Sequence, residues 1–159
     1  MRAGRRAGSR SSARSSTSSR VSGTGKGSRR PRNGAGPARA GVTPDDIDVV
    51  YAAANGSVVL DRTEARAIAA VFGARPVTVA AVKGALGESG AAGCGAMAAH
   101  LLLADRALVP PTVGLVQRGP DTPAGASNGA QPLRGPRALV TGVGSGGTVV
   151  AVVVEAATA

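Results

Sequence analysis

The order of local patterns in this 159-residue chain predicts an α/β domain: one mixed sheet with packed helices, in the order β-α-β-α-β-β. Three observations carry that expectation. Four short runs rich in β-branched residues are bounded by glycine, proline and polar clusters. Helix-period stretches separate the first run from the second and the second from the third. The last two runs are joined only by a glycine-rich turn, which predicts an antiparallel pair.

The elements follow in order from Gly41. "GVTPDD" reads as a turn, and "IDVVYAA" (Ile47–Ala53) as the first strand. After the loop "ANGS", Asp61 is placed to cap a helix over Arg62–Phe72, with Glu64 completing a capping-box-like pair. Ala65, Ile68, Ala69 and Phe72 recur at helical spacing as its buried face, and Gly73 ends it. "PVTVAAV" (Pro76–Val82) is the second strand. The turn "KGALGESG" then leads into a second helix, about Ala91 to Leu108, with Met97, Leu101, Ala104 and Leu108 facing inward and Pro110–Pro111 stopping it. A long polar connection precedes "RALVTGV" (Arg137–Val143) and "TVVAVVVEA" (Thr148–Ala156), joined through "GSGG".

The charge is segregated. Residues 1–40 hold ten Arg and one Lys against no acid, a net of +11, whereas residues 41–159 hold eight basic groups against nine acids, a net of −1. The basicity therefore belongs to an Arg/Ser/Gly-rich tail, 1–40, expected to be disordered because it has too little apolar surface to offset ordering entropy. The domain is expected over 41–159. With Tyr51 and Phe72 the only aromatics, base-stacking platforms are excluded, and no specific nucleic-acid partner is expected. One cysteine, Cys94, excludes an internal disulfide, and one histidine, His100, excludes an ordinary Cys/His metal cluster. No run reaches the length of about 20 apolar residues that spans a membrane, so no membrane partner is expected. The expected location is a reducing, cytoplasmic one.

Two further patterns invite chemistry and then weaken. "GVGSGG" (Gly142–Gly147) has G-x-G-x-x-G spacing, yet strand composition follows where a phosphate-binding turn must open a helix. Cys94 and His100 lie six apart on one predicted helix and so face different ways, which argues against a nucleophile–base pair. The expectation is a small buried thiol and a histidine near the helix surface.

Four segments taken together, "GVTPDDIDVV…ANGSVVLDRTEARAIAAVFG", "VKGALGESGAAG", "LVPPTVGL" and "GVGSGGTVVAVVVE", resemble in order and spacing the C-terminal half of β-ketoacyl synthases, the thiolase-like condensing enzymes of fatty-acid and polyketide synthesis. The likeness runs from about Gly36 to Ala157. It implies half of a thiolase-like fold, with no cofactor and no metal. In that family the first segment carries a histidine in a His-Gly-Thr-Gly-Thr loop, and the second a lysine and another histidine in Lys-x-x-x-Gly-His. The two histidines support decarboxylation and condensation, while the nucleophilic cysteine lies in the N-terminal half.

Carried over residue by residue, the first histidine falls on Ala53 and the second on Glu88, while the lysine is retained as Lys83. A helix glutamate common in the family falls on Ala96. The resemblance assigns substrate binding to Gly144, Ser145, Gly146, Gly147 and Thr148, although the family's gating phenylalanine is replaced by Ser145. Ala53 can neither donate nor accept a proton, and an ionised Glu88 would repel a developing enolate. Lys83 is accordingly expected as a relic, paired structurally with Glu88. The resemblance is nearest to non-catalytic chain-length-factor-like subunits, especially along "LDRTEA" and "VFG". It implies two alternatives: a condensing-enzyme domain incomplete by itself, or a non-enzymatic partner of an active ketosynthase and its acyl carrier protein. The tail is expected to be a truncated or out-of-frame remnant of the other half.

Overall fold

The computed structural model describes residues 40–144 and 146–157; the expectations for the basic tail and for Ser145 lie outside them. One four-stranded sheet organises the domain, its strands in the spatial order Thr78–Ala80, Val49–Tyr51, Arg137–Val143, Val149–Glu155. β1 (Val49–Tyr51) runs parallel to β2 (Thr78–Ala80) on one side and to β5 (Arg137–Val143) on the other. β6 (Val149–Glu155) closes the sheet antiparallel to β5, with Arg137 opposite Glu155 and Val143 opposite Val149. The expected hairpin is therefore present, and no helix follows its glycine-rich turn, which removes the context a dinucleotide-binding turn needs.

Side chains alternate across β1, and the two faces build separate cores. Val50 joins Ile47, Val79 and Leu139 beneath α1 (Val58–Phe72), which contributes Ile68 and Phe72. Val49 and Tyr51 join Ala80, Ala138 and Val140 on the other face, where α3 (Ala92–Ala104) packs through Ala96. Helices thus cover both faces, as a sheet with parallel central strands requires. The small α2 turn (Lys83–Leu86) lies between β2 and α3.

Several boundaries differ from the sequence expectation for identifiable reasons. Helix α1 begins at Val58, four residues early, with Ser57 as its N-cap. Asp61 does not cap it. Its carboxylate accepts hydrogen bonds from the backbone N–H groups of Asn55 and Gly56, both at 3.0 Å, and braces the preceding loop. Glu64 takes a buried place on the inner stripe with Ala65, Ile68 and Phe72, while Ala69 is exposed. A carboxylate reciprocating its cap is found instead at Thr43, whose N–H and hydroxyl both donate to Asp46 at 2.7 Å.

Helix α3 ends at Ala104, before its prolines. Ala107 turns with φ +51°, and Leu108–Val109 form β3, paired antiparallel to β4 (Gln131–Pro132). The inner stripe is Ala92, Ala96 and His100, small residues that let the helix lie close on the sheet; Met97 and Leu101 flank it and Leu108 is largely exposed. The expectations for Cys94 and His100 are reversed: the thiol is exposed, and the histidine is fully buried. They do lie on different faces of α3.

Candidate functional site

A cleft of about 600 Å³ opens at the carboxyl ends of β1 and β2, the edge at which open α/β sheets generally place ligands. Its floor comes from the loop after β1 (Ala52, Ala54, Asn55) and its back wall from α1 (Arg62, Glu64, Ile68). Lys83 and Glu88, following β2, form one side, and the connection from Thr112 to Ala126 forms the other.

That connection is tied down over the cleft. Asp121 meets Arg62 at 2.9 Å and Arg66 at 3.3 Å on α1, while Arg118 donates to the carbonyls of Pro123, Ala124 and Ala126. It also crosses Gly84 so closely that a methyl group there would run into the Val113 carbonyl, which explains the glycine.

Lys83 Nζ donates to both carboxylate oxygens of Glu88, at 3.0 and 2.9 Å. The expected pair is present, but its two members differ: the lysine side chain is only 12% exposed and the glutamate 55%. The hydrogen bond from Lys83 holds the Glu88 carboxyl below the ordinary range, with the Asn55 side chain adding to it and burial opposing. Gly87, at φ +83°, turns the chain so that Glu88 reaches back over five residues.

Ala53 is buried, and its backbone N–H donates to Glu64 at 2.9 Å. Thr141 on β5 donates its hydroxyl to the same carboxylate at 2.5 Å. A buried acid is thereby satisfied by a backbone amide and a hydroxyl, and the loop carrying Ala53 is pinned to the sheet. Sequence reasoning missed this Glu64–Thr141 contact. The available signal was an acid at the same helical stripe as Ile68 and Phe72. Ala96 lies buried against the opposite face of the sheet. Gly144, Gly146, Gly147 and Thr148 are exposed at the β5–β6 turn, where the Gly144 N–H donates to the Thr148 carbonyl at 2.8 Å; they do not line the cleft.

On the far face of the sheet, His100 Nε2 donates to the Pro136 carbonyl at 2.8 Å. Burial holds its pKa below the ordinary imidazole value, partly offset by that hydrogen bond and by Asp48. Among the described residues, no group of three or more His, Cys, Asp or Glu side chains converges as a metal site, and no helix is long and apolar enough to cross a membrane.

Comparison with known proteins gives a consistent picture. The family model "Beta-ketoacyl synthase, C-terminal domain" matches residues 7–116. The chain is similar to the tetracenomycin polyketide synthase ketoacyl synthase beta subunit of Streptomyces glaucescens, 46% identical over 97 residues, covering 55% of this chain and 23% of that protein. It is also similar to the granaticin polyketide putative beta-ketoacyl synthase 2 of Streptomyces violaceoruber, 45% identical over 84 residues, covering 53% of this chain and 20% of that one. Among solved structures, the ishigamide ketosynthase/chain length factor superposes with a TM-score of 0.70 at 28% identity, over 76% of this chain and 30% of the other. The chain therefore spans only about a quarter of the length of these relatives.

Proposed function

The chain belongs to the β-ketoacyl synthase C-terminal domain family, and from that premise we propose that it works as a non-catalytic synthase subunit of the chain-length-factor kind. One observation carries this reading. By the residue-by-residue resemblance, the two positions the family fills with histidine fall on Glu88, which lines the cleft, and on Ala53, buried in the loop whose neighbours Ala52 and Ala54 line it. Neither can act as the family's imidazoles do. A methyl group exchanges no proton, and a carboxylate kept ionised by Lys83 opposes a developing enolate instead of stabilising it.

The family lysine is retained, but its ammonium is already engaged by Glu88. In this reading Lys83 holds the wall of the cleft and takes no chemical part. The partner is a catalytically intact ketosynthase served by an acyl carrier protein, which the subunit assists by shaping the space its acyl chain occupies. The superposition on the ishigamide ketosynthase/chain length factor supports that role. Residues 1–40 are proposed to be an appendage to a folding unit over 41–159, even though the family match reaches back to residue 7 and Ala40 packs against the core; a lowered melting transition on trimming them would overturn that boundary. The turn Gly144–Thr148 is proposed to contact substrate only in such an assembly, since it does not line the cleft.

The test is reconstitution. The full chain alone, given malonyl and acyl thioesters, should make no ketoacyl product. Added to an intact ketosynthase and its carrier protein, it should change the length distribution of the products. Product from the chain alone would overturn the non-catalytic reading, and an unchanged distribution would overturn the partner reading.

A further inference from the structure

We infer that Glu88 is a tethered carboxylate occupying a binding site for the carboxylate head of an aliphatic ligand, with Lys83 as the recognising cation. Both Glu88 oxygens lie on one ammonium, at 3.0 and 2.9 Å, in the arrangement an external carboxylate would adopt there. The ammonium is the sheltered member, 12% exposed. Beside it the cleft is walled by Ile68, Val79, Ala80, Val113 and Leu115, apolar surface suited to a hydrocarbon tail.

Two of the other three acids of the cleft, Asp61 and Glu64, are held by backbone amides, and Glu88 is not. Asp61 accepts from two backbone amides, Glu64 from a backbone amide and Thr141, and Asp121 from two arginines of α1. Glu88 is anchored by side chains, Lys83 and Asn55, and sits on an exposed loop between Gly87 and Gly90. It can leave without breaking any backbone hydrogen bond of its own. The intact chain therefore refuses carboxylates at this position because it supplies its own, and removing that carboxylate exposes the site. The inference rests on the cleft alone and stands whether or not the chain partners a ketosynthase.

The experiment titrates the full chain with hexanoate and, as the uncharged probe, hexanol. Glu88→Ala should bind hexanoate about tenfold or more tightly than the native chain, the worth of one charge-assisted hydrogen bond. Hexanol should gain little, and the Lys83→Met/Glu88→Ala double variant should lose the hexanoate gain. Glu88→Gln, which keeps the side-chain volume, should show the same order with a smaller gain and serves if Glu88→Ala does not fold. Equal hexanoate affinity in native and variant chains would overturn the inference. So would an equal gain for hexanol, or a gain that survives without Lys83.

Discussion

Tyr51 and His100 meet edge to face across the sheet–helix boundary, ring centroids 5.8 Å apart at 69°, and each carries a polar atom with no partner among the described residues. The atoms are the tyrosine hydroxyl and the histidine Nδ1. The contact supplies good aromatic packing, but two groups capable of hydrogen bonding are buried without making one there.

Removing the hydroxyl should therefore help. Tyr51→Phe keeps the ring and deletes the unpartnered group, so it should be neutral to stabilising, by up to roughly 1–3 kcal/mol. Burial raises the tyrosine pKa to about 12. The folded chain keeps its proton where the unfolded chain loses it, so native stability should fall as pH rises from 10 to about 12. That alkaline component should vanish in Tyr51→Phe. Denaturant midpoints of both chains at neutral and alkaline pH measure it. The chain's single tyrosine, with no tryptophan present, lets phenolate absorbance read the pKa directly.

His100 should govern the mildly acidic side. Its folded pKa lies below 6.5, so the unfolded chain binds the proton first. Stability should be level above 6.5 and decline as pH falls towards the carboxylate range. His100→Gln keeps a donor for the Pro136 carbonyl but does not titrate, and should flatten the slope in that window. A slope unchanged by the substitution would place its origin elsewhere.

Gly84→Ala should lower stability by about 1–3 kcal/mol, because the added methyl meets the Val113 backbone and not a side chain that can swing aside. Gly146→Ala, whose methyl would meet nothing within 4 Å, is the matched control and should be near neutral. Thermal melts of the two variants make the comparison.

These sites differ in how far the sequence revealed them. The β5–β6 hairpin was legible to its strand bounds within a residue, because two valine-rich runs are bounded by a glycine-rich turn. Lys83 and Glu88 were legible as a pair because five residues and two opposite charges bring them together locally. Glu64 and Asp121 were not: Glu64 meets Thr141 across 77 residues and Asp121 meets Arg66 across 55, distances only the fold closes. The orientation of α3 was also hidden. "AGCGAMAAHLLLA" is nearly apolar all round, so periodicity could not select a face, and the sheet selected the small residues together with His100. Likewise Ser57, not Asp61, begins α1, because the loop amides of Asn55 and Gly56 claim the aspartate.

The Lys83–Glu88 pair should prove unequal under mutation. The lysine is the sheltered partner and the glutamate stands more than half in solvent. Lys83→Met replaces a long alkyl stem with another and leaves Glu88 to water, so its effect on the melting temperature should be small. Glu88→Ala instead leaves a largely sheltered ammonium with no carboxylate against it, and should cost more. Changing both removes the stranded charge and should recover much of that loss. Acid titration supplies an independent check. Lys83 depresses the Glu88 pKa, so the pair's stabilisation is present above 4.5 and lost as pH falls through the lowered folded value. Lys83→Met should erase that acid component. Melting curves of the native chain, both single variants and the double variant test the order, and a Lys83→Met loss exceeding that of Glu88→Ala would reverse it.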